Sequence, residues 1–340
     1  MNSVLVVRLS SVGDVVLTEP VVAALRESFP GAAIGYAVKA QFRDLVASHP
    51  ALSRVHLLDT SSSGGTASLV REIRDARYSA VVDLHRNART ARILRAAGIP
   101  VRTAYHKRKL RDAVRVRLLR RPFRASKLLV QRYLDALVPL GIDAPYMRPR
   151  LHVSDRDDEA GRAILTGLGV GSDAYAVLVP GSVWATKRWP AEGFAELATS
   201  VVRELGLRAV LLGSKGEREL CERIAGDAGS GAVNGAGETT LGQMAAVISR
   251  ARIYVGNDSG PTHMARALDV PTVALFGPTD PGQFDFEGHA LVYRDLSCSA
   301  CTFYGSRRCH LGHWDCMTAI VCDDVLEAAR SLLSSVGGGQ

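Results

Sequence analysis

Short, almost uncharged apolar runs alternate with stretches of helical period along nearly the whole chain, and this alternation limits the fold more than any other feature. VLVVRL, AAIGYAV, RVHLLD and AVVDLH are separated by VVLTEPVVAALRESFP, QFRDLVASH and SLVREIRDAR. After residue 170 the grammar repeats: AYAVLVPGS, AEGFAELATSVVRELG, RAVLLGS, ERELCERIAGDAG, TTLGQMAAVISRAR, IYVGNDSG and VPTVALFGPTD. Strands this apolar have no face for water, so they belong in parallel sheets covered by helices on both sides. With 340 residues, 47% of them hydrophobic, the chain exceeds what one core organises. The expected fold is therefore α/β, with two doubly wound domains. The Pro- and Asp-rich stretch GIDAPYMRPRLHVSDRDDEAG puts the boundary near residue 150, giving domains 1–150 and 151–320. In open parallel sheets ligands bind beyond the carboxyl ends of the strands, so the strand-to-helix turns are where chemistry is sought.

Charge narrows the partners. Residues 86–132 hold 16 of the 42 Lys and Arg but one acid, Asp112, while the net charge is +8. Such a patch favours nucleic acid, a phosphorylated glycolipid or an anionic membrane surface. No run of about 18 uncharged apolar residues occurs, and the N-terminus meets a polar loop too early for a signal-peptide core. A soluble cytoplasmic protein is expected.

Three turns carry the candidate chemistry. SSVGD, residues 10–14, places Gly13 and Asp14 after the first strand; the acid either caps a helix or accepts a proton from an incoming hydroxyl. No strand-to-helix turn carries G-x-G-x-x-G or G-x-x-x-x-G-K-[ST], which disfavours a dehydrogenase or a P-loop NTPase. PGSVWATKRWP, residues 180–190, offers backbone N–H groups, the Ser182 hydroxyl and the Lys187 ammonium to a phosphate. In NDSGPTHMARAL, residues 257–268, a helix starting near Pro261 presents the N–H groups of Ser259, Gly260 and Thr262 to an anion, with Thr262 and His263 as side-chain donors. Asp258 is the odd acid there; it holds the turn, orients Lys187 or binds a sugar hydroxyl. Glu217 is the candidate for a ribose, and Leu241 for an adenine slot. Cys298, Cys301, Cys309 and Cys316 form C-x2-C-x7-C-x6-C, a spacing that suits zinc or iron, with unligated or oxidised thiols as the alternative.

VVRLSSVGDVVLTEPVVAALRESFP, VPGSVWATKRWPAEGFAELA and NDSGPTHMARALDVPTVALFGPTDP, in this order, resemble the heptosyltransferases of lipopolysaccharide core assembly, glycosyltransferase family 9. The PGS…KRWP form is similar to the second enzyme of that pathway. The resemblance implies a GT-B fold: two facing Rossmann-like domains, acceptor in the first, nucleotide sugar in the second, and a last helix, 321–336, crossing back. It implies inverting transfer of heptose from ADP-L-glycero-D-manno-heptose to the inner core, with no cofactor required for catalysis. Asp14 then matches the general base and Lys187 the lysine that supports the departing diphosphate. Ser182 falls in the phosphate loop, while Gly13, Asp258, Ser259, Gly260 and His263 fall in positions assigned to the donor site. Arg86, Arg89, Lys107, Arg108, Lys109 and Arg111 become candidates for holding an anionic acceptor, with peripheral contact at the inner face of the inner membrane and no nucleic acid. The cysteine segment is loosely similar to the iron-binding finger of heptosyltransferases that modify autotransporters. Two rival readings are a nucleotide-sugar 2-epimerase of the same architecture and a nucleic-acid-binding protein using residues 86–132; against the latter, that stretch has few interleaved aromatics.

Overall fold

The protein is described by a computed structural model covering residues 1–107, 114, 116 and 122–337. It divides into two compact units, Met1–Arg108 with Lys127–His152, and Lys109–Ser126 with Val153–Gln340. Residues 122–126 thus lie in the second unit and 127–152 in the first, before the chain enters the second unit again at Val153, close to the boundary expected near residue 150.

The first unit contains β1 (Ser3–Val7), α1 (Val12–Val16), α2 (Glu19–Ser28), β2 (Ala33–Lys39), β3 (Arg54–Leu58), α3 (Gly65–Asp75), β4 (Ala80–Asp83), α4 (Ala88–Ala97), β5 (Val101–Ala104) and α5 (Leu129–Leu134). Its strands run in the order β3-β2-β1-β4-β5, all parallel. Central β1 is apolar at every position facing either layer, and Val4, Leu5, Val6 and Val7 are buried. Helix α4 starts where the Asn87 side chain accepts from Thr90 N–H and stops at Gly98, whose φ of 75° is the left-handed cap that glycine adopts without strain. The stretch QFRDLVASH, expected as a helix, is instead the 3-10 segment Ala40–Leu45; with few residues between β2 and β3, a tight short turn suffices.

The second unit contains α6 (Asp155–Gly167), β6 (Tyr175–Val179), α7 (Ala191–Leu205), β7 (Arg208–Leu211), α8 (Arg218–Ala228), β8 (Ala232–Asn234), α9 (Leu241–Ser249), β9 (Ile253–Asn257), α10 (Gly260–Ala267), β10 (Thr272–Phe276), β11 (Ala290–Tyr293), α11 (Asp315–Thr318) and α12 (Cys322–Gly337). Its parallel sheet has the order β11-β10-β9-β6-β7-β8. Helix α6 approaches α9 so closely that a Cβ on Gly161 would lie 2.7 Å from that of Ala246. Helix α12, expected to return to the first domain, packs on α7 and on β10 and β11 and belongs to the second unit. Val325, Leu326 and Ala329 on its inner face join the core around Trp189 and Phe194, so the burial of that stripe sets where the helix sits. Residues 122–125 also belong here: Phe123 N–H donates to Ala300 O at 3.0 Å and Ala125 N–H to Asp280 Oδ2 at 2.5 Å. Among the described residues no helix is long and apolar enough to cross a membrane.

Candidate active site

Asp14 lies in the first turn of α1, just past the carboxyl end of β1, with its side chain 25% exposed. Its Oδ2 receives the Arg8 guanidinium at 2.5 Å and the Ser11 hydroxyl at 3.0 Å, while Tyr133 donates its O–H to Oδ1 at 3.2 Å. Burial pushes the carboxyl pKa up, but the Arg8 charge and the Ser11 bonds outweigh it and hold Asp14 below the usual carboxylate range. Asp14 is thus ionised and oriented. It also accepts from the Ser11 N–H at the start of α1, so the carboxylate caps that helix.

Arg8 was not anticipated. It is 7% exposed, donates to Ser10 O at 2.7 Å and Leu84 O at 2.5 Å, and stacks over Tyr133 at 5.6 Å. The available signal was a cation closing an otherwise apolar strand run: a buried guanidinium demands an anionic partner, and Asp14 is six residues on. The same unit carries further cations. Arg86 donates to Tyr105 O at 2.9 Å, and Arg89 is exposed in the first turn of α4. Partial burial and the Arg8 charge lower the Lys107 pKa. Arg108, Lys109 and Arg111 lie outside the described residues. His85 follows β4; burial first, then Arg8 and Lys107, push it down to about 4, so it is neutral at pH 7.

In the second unit Lys187 Nζ sits 2.6 Å from Asp258 Oδ2, their side chains 12% and 5% exposed. Thr279 donates its hydroxyl to the same oxygen at 2.5 Å, and His263 Nε2 is 3.8 Å from Oδ1. Burial works against the Asp258 charge, yet Lys187, His263 and Thr279 together keep its pKa lowered. The two motifs are joined by Asn257, a fully buried residue absent from the sequence candidates. It accepts from Trp189 N–H at 2.9 Å and donates to Pro180 O at 2.8 Å, tying the end of β9 to both ends of the 180–190 loop.

Ser182 is buried, and its carbonyl accepts from Arg188 at 2.8 Å. Ser259 is the N-cap residue of α10 and Gly260 its first residue. Thr262, expected to offer its hydroxyl to a ligand, instead donates to Asn257 O at 2.5 Å and lies 3.1 Å from the Tyr254 hydroxyl; at the first turn that acceptor is nearer than any anion. Glu217 accepts from both the N–H and the hydroxyl of Ser214 at 2.7 Å, and its carboxylate fills the space where Gly181 lacks a Cβ, 1.9 Å from that position. Leu241 opens α9, half-buried. Gly13 is buried beside Asp14.

Two places concern metals. Cys298, Cys301, Cys309 and Cys316, none of them in a disulfide, line a cavity of about 20 Å³ with Thr186, Pro278, His313 and Trp314, room for a single atom-sized guest. Burial first, then the other three thiols, push Cys316 up to about 12. Four sulfurs lining one small cavity with His313 are the donor types a thiophilic ion takes, although among the described residues no three of them bring their ligand atoms within 4.8 Å of one another. The other place is Glu19, His49 and His152, the group of three ligand atoms within 4.8 Å of one another among the described residues. There His49 Nδ1 accepts from Ala51 N–H, so Nε2 carries the proton it shares with Glu19 at 3.1 Å, and Glu19 Oε2 accepts from Arg150 N–H. That tautomer leaves His49 without a lone pair for a metal, and the cluster reads as a satisfied structural network.

Two doubly wound parallel sheets with polar, charged turns at their carboxyl ends are the architecture of GT-B glycosyltransferases. Residues 66–307 match glycosyltransferase family 9 (heptosyltransferase), and the chain belongs to that family of enzymes. It is 28% identical over 319 residues to lipopolysaccharide heptosyltransferase 1 of Pseudomonas aeruginosa, covering 88% of this chain and 85% of that protein. Against lipopolysaccharide heptosyltransferase 2 of Salmonella typhimurium the identity is 29%, over 98% of this chain and 99% of the relative. The solved E. coli ADP-heptose lps heptosyltransferase II superposes with a TM-score of 0.76 at 25% identity, covering 99% of this chain and 100% of that one. The expected α/β, GT-B class of fold is therefore the one found.

Proposed function

We propose that the protein transfers heptose from ADP-L-glycero-D-manno-heptose to the inner core of lipopolysaccharide, with inversion at the anomeric carbon. Asp14 accepts the proton of the acceptor hydroxyl while its oxygen bonds to the anomeric carbon and the bond to the diphosphate breaks. The released charge falls on the diphosphate oxygens, met by the Lys187 ammonium and the free N–H groups at the start of α10. Lys187 has three donors and Asp258 engages one of them, so the pair can hold a diphosphate and a sugar hydroxyl together. Ser182, Ser259, Gly260 and His263 complete the donor pocket, with Glu217 and Leu241 toward the nucleoside. Lys107, whose charge is felt at Asp14, together with Arg86 and Arg89 of the same unit, takes the anionic acceptor, and the remaining basic residues hold the enzyme against an anionic membrane face at the cytoplasmic side.

The observation that carries this reading is the Lys187–Asp258 pair at the head of α10, in a chain whose relatives are named as lipopolysaccharide heptosyltransferases. Replacing Asp14 by Asn removes the base but keeps the shape; turnover is expected to drop by about 10² to 10⁴ while ADP binding persists. Full-speed transfer by Asp14→Asn ends the proposal. Dependence of sugar consumption on an acceptor separates it from epimerisation. The catalytic step needs no metal in this scheme; Cys298, Cys301, Cys309 and Cys316 hold one zinc or iron ion in a structural role, which metal analysis of the purified chain reads directly.

A further inference from the structure

The cysteine segment grips both loops that carry the Lys187–Asp258 pair. Thr186, buried beside Lys187, has all its polar groups bonded to that segment. Its N–H donates to Ser306 O at 3.2 Å, its hydroxyl donates to the same carbonyl at 3.0 Å and accepts from Ser306 N–H at 2.9 Å, and its carbonyl accepts from the Trp314 indole at 2.9 Å. Two residues before Thr186, at the N-cap of the same turn, Trp184 packs against Gly305, where a Cβ would fall 2.6 Å from Trp184 Cβ and where φ is +99°. On the other loop, Thr302 N–H donates to Pro278 O at 3.0 Å, next to the Thr279 that bonds Asp258. Gly277 has no room for a Cβ either, with Met317 Sδ at 2.4 Å and Cys316 Sγ at 3.1 Å from its position. Thr186 and Pro278 are themselves walls of the thiol cavity.

We propose that the four-cysteine segment is a positioning frame for Lys187 that acts through Thr186, so that a thiophilic divalent cation in the cavity strengthens diphosphate binding at Lys187. The inference rests on reading the thiols as a metal site and is independent of the sugar transferred. Contraction of the thiols around an ion shifts the strand of chain bearing Ser306 and Trp314, and Thr186 hands that restraint to its neighbour. Coupling between two sites is reciprocal and commonly amounts to about 5- to 150-fold in affinity.

The test compares ADP affinity, by calorimetry, of the reduced metal-free chain with that of the chain loaded with one equivalent of Zn²⁺ and freed of excess. Zinc is expected to lower the ADP Kd by about 5-fold or more. Thr186→Val should bind zinc with the same stoichiometry, showing an intact fold, yet lose the gain, and Thr186→Ser, which keeps the hydroxyl, should recover it. Cys298→Ser/Cys309→Ser should show no gain. An ADP Kd indifferent to zinc, or a gain that survives in Thr186→Val, overturns the inference. A chain that takes up no zinc overturns it together with the metal assignment, while the transferase reading still stands or falls on Asp14→Asn.

Discussion

Arg8 sets the proton chemistry of the first unit. Its charge keeps the Asp14 carboxyl pKa low against burial, and with Asp14 in the base role proposed above the acid limb of kcat/KM is expected below the usual carboxylate range. Arg8→Met removes the charge and leaves the burial; the limb should then move to higher pH as Asp14 stays protonated longer. An acid limb unchanged in Arg8→Met would mean that Asp14 is not the group titrating. His85 gives a second, opposite handle. Its folded pKa of about 4 lies below the ordinary value near 6.5, so the unfolded chain takes the proton first. Its contribution is complete above about 6.5 and is lost as pH falls toward 4. His85→Gln should flatten the fall of the denaturant midpoint across that window, and a slope identical to the parent would count against it. Sequence reading stops here: Asp14 is visible as an acid in a turn, whereas its low pKa is set by the Arg8 cation just past β1 and its orientation is shared with a tyrosine over a hundred residues away.

At the scale of elements, β9 and the loop after β6 behave as one piece because of Asn257. Replacing Asn257 by Ala leaves Trp189 N–H and Pro180 O buried without partners, a loss of about 2–4 kcal/mol for the two bonds. Chemical denaturation should register it, and ADP binding should weaken as the Lys187 loop loses its anchor; unchanged stability would show that water replaces the amide. The strands themselves were legible because a parallel strand covered on both faces must be a continuous apolar run, which AYAVL and IYVGN display. The start of α10 was legible from Ser259, Gly260 and Pro261. A Thr262 hydroxyl at a helix start serves a ligand or its own turn equally well in sequence, and the Asn257 carbonyl is what it meets in the fold. The six-residue 3-10 segment Ala40–Leu45 winds with i→i+3 bonds, and over so short a stretch its apolar spacing does not tell it from an α-helix.

For the molecule as a whole, the least legible feature is the repeated passage of chain between units. Residues 122–126 have no strand or helix period to mark them; what assigns them to the second unit is long-range polar contact, Ala125 to Asp280, Phe123 to Ala300 and Arg124 to Asp295. The helix at 321–336 packs within the second unit, a placement its amphipathic stripe leaves open because the stripe says which face is buried and not against what. All three tryptophans, Trp184, Trp189 and Trp314, fall in the second unit, so their fluorescence reports its unfolding separately from the first. Asp280 is 3% exposed and accepts from both Ala125 and Gly282 N–H. Asp280→Ala strands those donors and should lower the tryptophan-detected stability by about 2–4 kcal/mol, since hydrogen bonds to a charged acceptor are the stronger kind. Far-UV ellipticity, which sees both units, should lose amplitude earlier only in the fraction that tracks the fluorescence. Were the tryptophan transition to stay in place while the remaining ellipticity moved, residues 122–126 would be stabilising the first unit, and the division of the chain would have to be redrawn.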